Sequence, residues 1–408
     1  MKFIHTGDLH LGKIFHEHSL IEDQRYMLEE LGELLADQSY RALLIAGDIY
    51  DRSIPPPDAV SLFSSFLGKV KARRPDLEIL ILPGNHDSSS RLGFGKELFA
   101  ELGIHLVIDP EDAVKPVIVK GKDGEREETC AFFLLPFLNP GSLRAETGET
   151  EDMLAAEPLR SQAKLAEAAA SRLEKARLEA LAAGVTYTVL GAHLFAAGGL
   201  ESESERVFLG TAERVPIGLF AGFDYTALGH LHRQQKTGDT AWYSGSPLAY
   251  SFEEAKAEKV FLSVELGAAD AVMVMPIPVK PLRGLQSLRG SFNYFFRDSV
   301  HDAAVTNAEK DYLEIILTDT SLVENPLAIL RRRFPWILSI KQDRAFAALR
   351  AGDGESGGSI TAPSHTERRS TALDFEDFLA EIYGEGDDEK TGLFRELLAE
   401  VEQGEAEA

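Results

Sequence analysis

Residues 1 to about 105 alternate between two hydrophobic rhythms. Phe3–Thr6, Ala42–Ala46 and Leu77–Leu82 are short, nearly unbroken apolar runs with the length of buried strands. Between them, apolar residues recur at helical spacing. Met27, Leu28, Leu31, Leu34 and Leu35 mark a helix over Ile21–Leu35. Val60, Phe63, Phe66, Leu67 and Val70 mark another, after the start signal Pro55, Pro56, Pro57 and Asp58. A third helix is predicted around Gly95–Leu102. This βαβαβ order predicts a parallel sheet with right-handed crossovers, whose strands point their carboxyl ends into a binding crevice.

The rhythm then changes. From Val107 to Leu135 the pattern predicts short β segments around a polar turn at Gly121–Glu128. Pro158–Ala183, rich in Ala, Leu, Glu and Arg, predicts one long helix stopped by Gly184. Strands follow near Thr186–Leu190 and Tyr225–Leu228, separated by a glycine-containing loop (197–199) and an acidic stretch, Glu201–Glu205. Trp242–Ser244 and Val260–Glu265 read as antiparallel strands, and Pro276–Pro278 as a boundary.

A second unit holds a strand at Asp311–Thr318, a helix from Asn325-Pro326 through Arg333, and a strand at Trp336–Ile340. Gly352–Thr361 has linker composition. Two amphipathic helices end the chain, one with Phe375, Phe378, Leu379, Ile382 and Tyr383 on a face, the other with Leu393, Phe394, Leu397, Leu398 and Val401. The domains expected are therefore 1–277, 278–350, a linker at 351–372 and a helical tail at 373–408.

Composition narrows the class. With 408 residues and 44% apolar content the chain can bury two or three cores. A single cysteine, Cys130, excludes an intramolecular disulfide and fits a reducing compartment; it reads as a small core hydrophobe. No secretion signal is visible and no apolar run approaches the roughly 18 residues that span a bilayer, so a soluble cytoplasmic protein is expected. The net charge of −24 argues against a free-standing nucleic-acid clamp. Much of that acidity is local, however: from Thr371 onward there are 13 Asp and Glu against Lys390 and Arg395. Two bound cations would also add positive charge at the site.

The chemistry lies at the strand ends. Gly7-Asp8-Leu9-His10, Gly47-Asp48, Gly84-Asn85-His86, Gly191-Ala192-His193 and Gly229-His230-Leu231-His232 each follow a predicted strand. A lone Gly-Asp there is ordinarily a turn; five such groups in order make coincidence a poor explanation. Asp8 and His10 are two apart, as are His230 and His232, so each pair points the same way in extended backbone. Asp48 suits a bridge between two metals, and Asn85 is a neutral oxygen ligand. A mixed O/N set without thiolate favours Mn²⁺ or Fe²⁺ over a structural zinc cage. His86 adjoins a ligand and is placed to give a proton or hydrogen bond to the reacting phosphate. Arg91 and Arg233 adjoin ligand loops and are weaker candidates for phosphate contact. Arg331–Arg333 could track a nucleic-acid backbone or form a solvated helix face. His5 reads as a packed strand residue, His16 and His18 as solvated loop positions.

Together these groups resemble the signature of the calcineurin-like metallophosphoesterases, with Ala192 where that family usually has glycine. The segments Gly47–Asp51, Asn85–Leu92, Asp224–His232 and Tyr243–Pro247 further resemble the SbcD family of bacterial nuclease subunits. The resemblance implies an α/β fold of two layered β-sheets flanked by helices, with a small α/β cap and a helical tail. It assigns one metal to Asp8, His10, Asp48 and His232, the other to Asp48, Asn85, His193 and His230, and transition-state assistance to His86. Asp51 stands where archaeal and eukaryotic relatives commonly carry histidine, which suggests a role in orienting substrate or His86. The implied activity is Mn²⁺-dependent 3′–5′ exonuclease and single-strand or hairpin endonuclease cleavage in DNA repair, recombination and replication. Implied partners are DNA, an SbcC-type ATPase docked on the C-terminal helices, and a second copy of the chain within a heterotetramer. The copies would meet through helices near Ala59–Val70 and Leu92–Leu102, with Phe63, Phe66 and Phe99 as candidate contacts. A phosphoesterase acting on small molecules or phosphoproteins, or a scaffold with no activity, are the alternative readings.

Overall fold

Strand β1 (Lys2–Thr6) is followed by a small hairpin, β2 (Ile14–Phe15) and β3 (His18–Ser19), and by helix α1 (Ile21–Leu34). Strand β4 (Ala42–Ala46) is buried at every position, which is why its sequence is apolar without alternation. Helix α2 (Pro57–Arg73) starts with proline at its first position, where the missing N–H is no loss. Next come β5 (Glu78–Leu82), two short helices α3 (Ser89–Leu92) and α4 (Lys96–Ala100), and β6 (Ile104–Leu106). Strands β1, β4, β5 and β6 run parallel, as the βαβ pattern requires.

The second half builds another sheet. Its strands are β7 (Val117–Asp123) and β8 (Arg126–Leu135), then β9 (Tyr187–His193) after the long helix α5 (Gln162–Ala182). They are joined by β10 (Tyr225–Gly229), β11 (Gln235–Thr237) and β12 (Ala241–Tyr243), in the spatial order β11-β12-β10-β9-β8-β7. The polar stretch read as a turn at 121–128 lies instead largely in β7 and β8, whose pairing runs from Val117 opposite Phe132 to Asp123 opposite Arg126. An outer strand needs no apolar side chains at its far end, so polarity there misleads.

Two further expectations change. Strand β12 is antiparallel to β11 but parallel to β10. Strand β13 (Val260–Leu266) returns to the first sheet, antiparallel to β1, and is edged by β14 (Val272–Pro278). Pro276 and Pro278 are thus strand residues rather than a boundary. An edge strand tolerates proline because its outer N–H groups need no partner. The first sheet reads β14-β13-β1-β4-β5-β6.

The two sheets pack face to face through Phe3, Leu44, Leu80 and Leu82 on one side and Phe132, Leu134, Val189 and Ala227 on the other. Cys130 is buried in this core. Helices α1 and α2 cover the outer face of the first sheet; α5 covers that of the second. A third, smaller parallel sheet follows: β15 (Leu285–Gly290), β16 (Tyr312–Leu317) and β17 (Ile337–Gln342), with helices α6 (Phe292–Phe296), α7 (Ala303–Asn307) and α8 (Pro326–Leu330). It has its own core of Phe295, Leu313, Ile315, Leu330 and Phe334. The helix expected through Arg333 stops at Leu330. Arg333 instead ties this unit together, donating to Glu309 at 2.8 Å and to the Phe295 carbonyl at 2.9 Å.

The computed structural model describes residues 1–123, 126–144, 158–197, 199, 214–267, 272–297, 302–343 and 391–394. Met1–Ala351 forms one compact unit and Gly352–Ala408 a second, in which the described residues are a helical turn at 391–394. The acidic stretch Glu201–Glu205, the linker and most of both expected tail helices lie outside the described residues. Among the described residues no helix is long and apolar enough to cross a membrane.

Candidate metal centre

All seven expected ligands lie at the carboxyl ends of strands from both large sheets. Asp8 and His10 follow β1, Asp48 follows β4 and Asn85 follows β5; His193 ends β9, and His230 and His232 follow β10. The turns that carry them are unusual. Asp8, His10, Asp48 and His230 all have positive φ, at 52°, 44°, 49° and 108°. Such conformations persist only where surroundings over-determine them. Here the Asp8 N–H donates to the Gly47 carbonyl, the His10 N–H to the Asp48 carbonyl and the His230 N–H to the Asp8 carboxylate, at 2.9–3.0 Å.

The glycines before the ligands are explained by space. A Cβ on Gly47 would sit 2.2 Å from His193 Nδ1, and one on Gly84 would sit 2.1 Å from Asp48 Oδ1. Loops bearing ligands can approach this closely only without side chains at those two positions.

Among the described residues, ligand atoms converge in three overlapping groups, one of which joins His86 to His10 and Asp48; the other two carry the expected ligands. In the first of these two, atoms of Asp8, His10 and His232 lie within 4.8 Å of one another, and His10 Nε2 is 3.0 Å from His232 Nε2. In the second, Asp8, Asp48 and His193 meet the same limit, and Asn85 Oδ1 is 3.0 Å from both His193 Nε2 and His230 Nδ1. Asp48 Oδ2 lies between the groups, 3.8 Å from His10 Nε2 and 3.5 Å from His193 Nε2.

The electrostatics suit cations. Burial pushes the His10 and His193 imidazoles below their ordinary range and His230 down to about 3, so all three are neutral near pH 7. Burial alone would raise the Asp48 carboxyl, but His193, His86 and the His86 N–H outweigh it and hold it low. Neutral imidazoles facing one another among ionised carboxylates are the protonation states that metals require. The donor set therefore fits two divalent ions sharing Asp48.

Surrounding groups fix the ligands. His193 Nδ1 donates to the Ala46 carbonyl at 2.9 Å, turning Nε2 inward. His232 Nδ1 faces Glu254 Oε1 at 3.3 Å, and Lys259 holds Glu254 at 2.6 Å. Burial would raise the Glu254 carboxyl, yet His232 and Lys259 hold it well below the usual range. Asp87 accepts the backbone N–H groups of Ile49, Tyr50 and Gly84 at 2.9–3.0 Å, binding the Asp48 loop to the Asn85 loop. Burial and the neighbouring Asp48 push its carboxyl up to about 7. Phe137, half-buried, lies along the His230 ring at 6.5 Å. Asp87 stood in the motif without a role; Glu254, Lys259 and Phe137 had no signal in the sequence.

His86 sits beside the ligands, with its ring 4.9 Å from that of His10 and its backbone N–H on Asp48 Oδ1 at 2.9 Å. Its Nδ1 donates to the backbone carbonyl of Asp51 at 2.8 Å. The Asp51 carboxylate accepts from Lys13 at 2.8 Å and lies 3.7 Å from His10 Nδ1. Arg91 and Arg233 are exposed. Arg91 lines a separate apolar cavity of about 870 Å³ between α2 and α3–α4, which contains none of the ligands. His5 is buried, its ring bonded to Tyr225 and the Leu228 carbonyl. His16 is exposed, while His18 is half-buried against Tyr312 and Trp336 rather than solvated.

Residues 1–165 match the family model described as calcineurin-like phosphoesterase. The match includes Asp8, His10, Asp48 and Asn85; the second sheet brings the three remaining histidines from beyond it. Among solved structures, the chain is similar to TT1561 of Thermus thermophilus (14% identity, 68% of this chain and 99% of that one, TM-score 0.37). It is also similar to the calcineurin-like phosphoesterase YfkN from Bacillus subtilis (11% identity, 68% and 88%, TM-score 0.35). A third is a dimetal phosphatase from Danio rerio (10% identity, 69% and 99%, TM-score 0.37).

Proposed function

We propose that this chain is a Mn²⁺-dependent DNA nuclease, the SbcD-type subunit of a complex with an SbcC-type ATPase. The observation that carries the chemistry is Asp48, buried between two ligand groups that each draw side chains from both large sheets. Support for DNA as substrate is the resemblance of Asn85–Leu92, Asp224–His232 and Tyr243–Pro247 to the SbcD family.

Asp8, His10, Asp48 and His232 would hold one ion, and Asp48, Asn85, His193 and His230 the other. Bound there, the two ions supply Lewis acidity that readies water and neutralises phosphoryl charge. The chain does the rest. Asn85 ligates without adding negative charge that would repel a phosphodiester. His86, fixed at Nδ1 by the Asp51 carbonyl, turns its second ring nitrogen to the leaving or non-bridging oxygen. Glu254 and the Ala46 carbonyl hold their histidines in the ligating tautomer.

Assembly follows the same reading. Phe63 and Phe66 are core residues, but Val60, Phe94, Leu98 and Leu102 are exposed on the α2 and α4 face, Phe94 at 85%. That face would join two copies, and the tail would dock on the ATPase in the cytoplasm.

The test compares a labelled DNA hairpin, a cyclic nucleotide and a phosphopeptide, each with Mn²⁺ and either the wild type or Asp48→Ala. Cleavage of the hairpin by the wild type alone is expected. An intact hairpin with turnover of either other substrate would replace this reading by a small-molecule or phosphoprotein phosphoesterase. Unchanged co-purification with the ATPase after deletion of residues 360–408 would remove the tail's role.

A further inference from the structure

The first turn of α1 faces two ways. Gln24 is fully buried and clamps the first ligand loop: its Oε1 accepts the Gly12 N–H at 2.9 Å, and its Nε2 donates to the His10 carbonyl at 2.7 Å. Its neighbour Asp23 faces the small third sheet, accepting from the Tyr312 hydroxyl at 2.6 Å and from Arg283 at 2.9 Å. Arg283 is stacked 4.2 Å over Trp336. The β2–β3 hairpin links the same two regions. It is closed by the Leu20 N–H on the Lys13 carbonyl at 3.0 Å, and its His18 ring lies 5.3 Å from Tyr312 and 5.2 Å from Trp336.

This matters for the ligands because His10 holds a positive φ of 44°, a conformation uncommon among residues other than glycine. The Gln24 amide supplies hydrogen bonds across the loop that keep it there. Asp23 is buried, and its other oxygen, Oδ1, has no hydrogen-bond donor among the described residues. Tyr312 and Arg283 therefore balance its charge from the side of the third sheet. Loosening that contact removes the compensation for a buried carboxylate and frees the helical turn that carries Gln24.

We propose that Gln24 is a positioning residue for the Asp8–His10–His232 subsite, and that Asp23 and Gln24 together transmit docking of the 285–342 sheet to that subsite. The proposal rests on the metal-centre reading above. A partner or duplex that moved the small sheet would thereby change the grip of the first subsite on its ion, without touching a ligand.

The test is a double-mutant cycle read by calorimetric titration of the full chain with Mn²⁺ alone. Gln24→Met preserves packing and removes the amide's hydrogen bonds to the Leu9–Gly12 loop; it should weaken Mn²⁺ binding at one site by about tenfold or more. Tyr312→Phe, distant from every ligand, should weaken the same site by roughly two- to thirtyfold. In the double variant the second change should add nothing, because its route is already cut. Tyr312→Phe with wild-type Mn²⁺ affinity, or strictly additive losses, would overturn the relay. Should Gln24→Met fail to fold, Arg283→Gln replaces it, and unchanged affinity there has the same meaning. A wild type that binds no Mn²⁺ sinks the metal reading itself. Mn²⁺ binding without DNA cleavage sinks the substrate assignment and leaves the relay standing.

Discussion

His86 is held by the backbone of Asp51, not by its carboxylate: Nδ1 donates to the Asp51 carbonyl at 2.8 Å, while the side chain pairs with Lys13. The two residues should therefore separate under mutation. His86→Gln should lower kcat by about 10²–10⁴-fold while leaving Mn²⁺ affinity near wild type, as expected of a group acting on the proton. Asp51→Asn keeps the carbonyl and should cost far less. Single-turnover cleavage of a hairpin substrate checks both, and equal losses would assign the carboxylate a direct part.

Glu254 orients His232 from a buried position and is itself held by Lys259. Glu254→Gln should weaken Mn²⁺ binding by about 10–100-fold, the usual cost of losing a partner of a ligating imidazole. Titration of the metal-free protein would show it, and saturating Mn²⁺ should restore most of the turnover. A kcat that stays low at saturation would mean that Glu254 does more than orient.

Gly84 lies where a side chain would meet Asp48 Oδ1 at 2.1 Å. Gly84→Ala must displace the shared carboxylate, so both ions should be lost together, with affinity down by at least about 10–100-fold. Since the strain is local, circular dichroism should remain that of the wild type. Retention of two tightly bound ions would show that the loop can shift without cost.

Acid should destabilise the metal-free protein partly through His5. Burial lowers this imidazole from 6.5 to about 3, so the folded state binds fewer protons than the unfolded one between those values. The stability it contributes is thus complete above about pH 6.5 and lost as pH falls toward 3, by roughly 1.4 kcal/mol per pH unit. His10, His193 and His230 add to the same trend. Denaturant midpoints of metal-free His5→Gln, measured from pH 7 to 4, should fall less steeply than those of the wild type. Parallel slopes would mean that His5 is protonated in the fold.

The exposed apolar residues on α2 and α4 give a last expectation. Leu98, 74% exposed, reaches water if the chain is monomeric and is covered if two copies meet there. Leu98→Glu should then convert a dimer into monomers in sedimentation, with turnover of small model esters unchanged. An unaltered sedimentation coefficient would remove that face from the assembly.

Much of this molecule is decided by local chemistry, and that part was legible along the chain. An apolar run long enough for a buried strand, ended by glycine and then by a carboxylate, amide or imidazole, identifies a loop that must approach other backbone closely. Gly229, Gly84 and Gly47 stand at the tightest of these approaches. The parallel order of β1, β4 and β5 followed from helices between them, and the candidate ligands lie at the strand ends where the sequence put them. What only the tertiary structure decided depends on atoms far apart in sequence. His10 meets His232 across 222 positions, and Tyr312 reaches Asp23 across 289. No pattern within a short window signals that Glu254 serves His232, that Gln24 spans the His10 loop, or that β13 and its proline-bearing edge return to the first sheet. Propensity and periodicity act over a few residues, whereas these contacts arise from the fold that brings distant polar groups into one buried space, where each must find a partner.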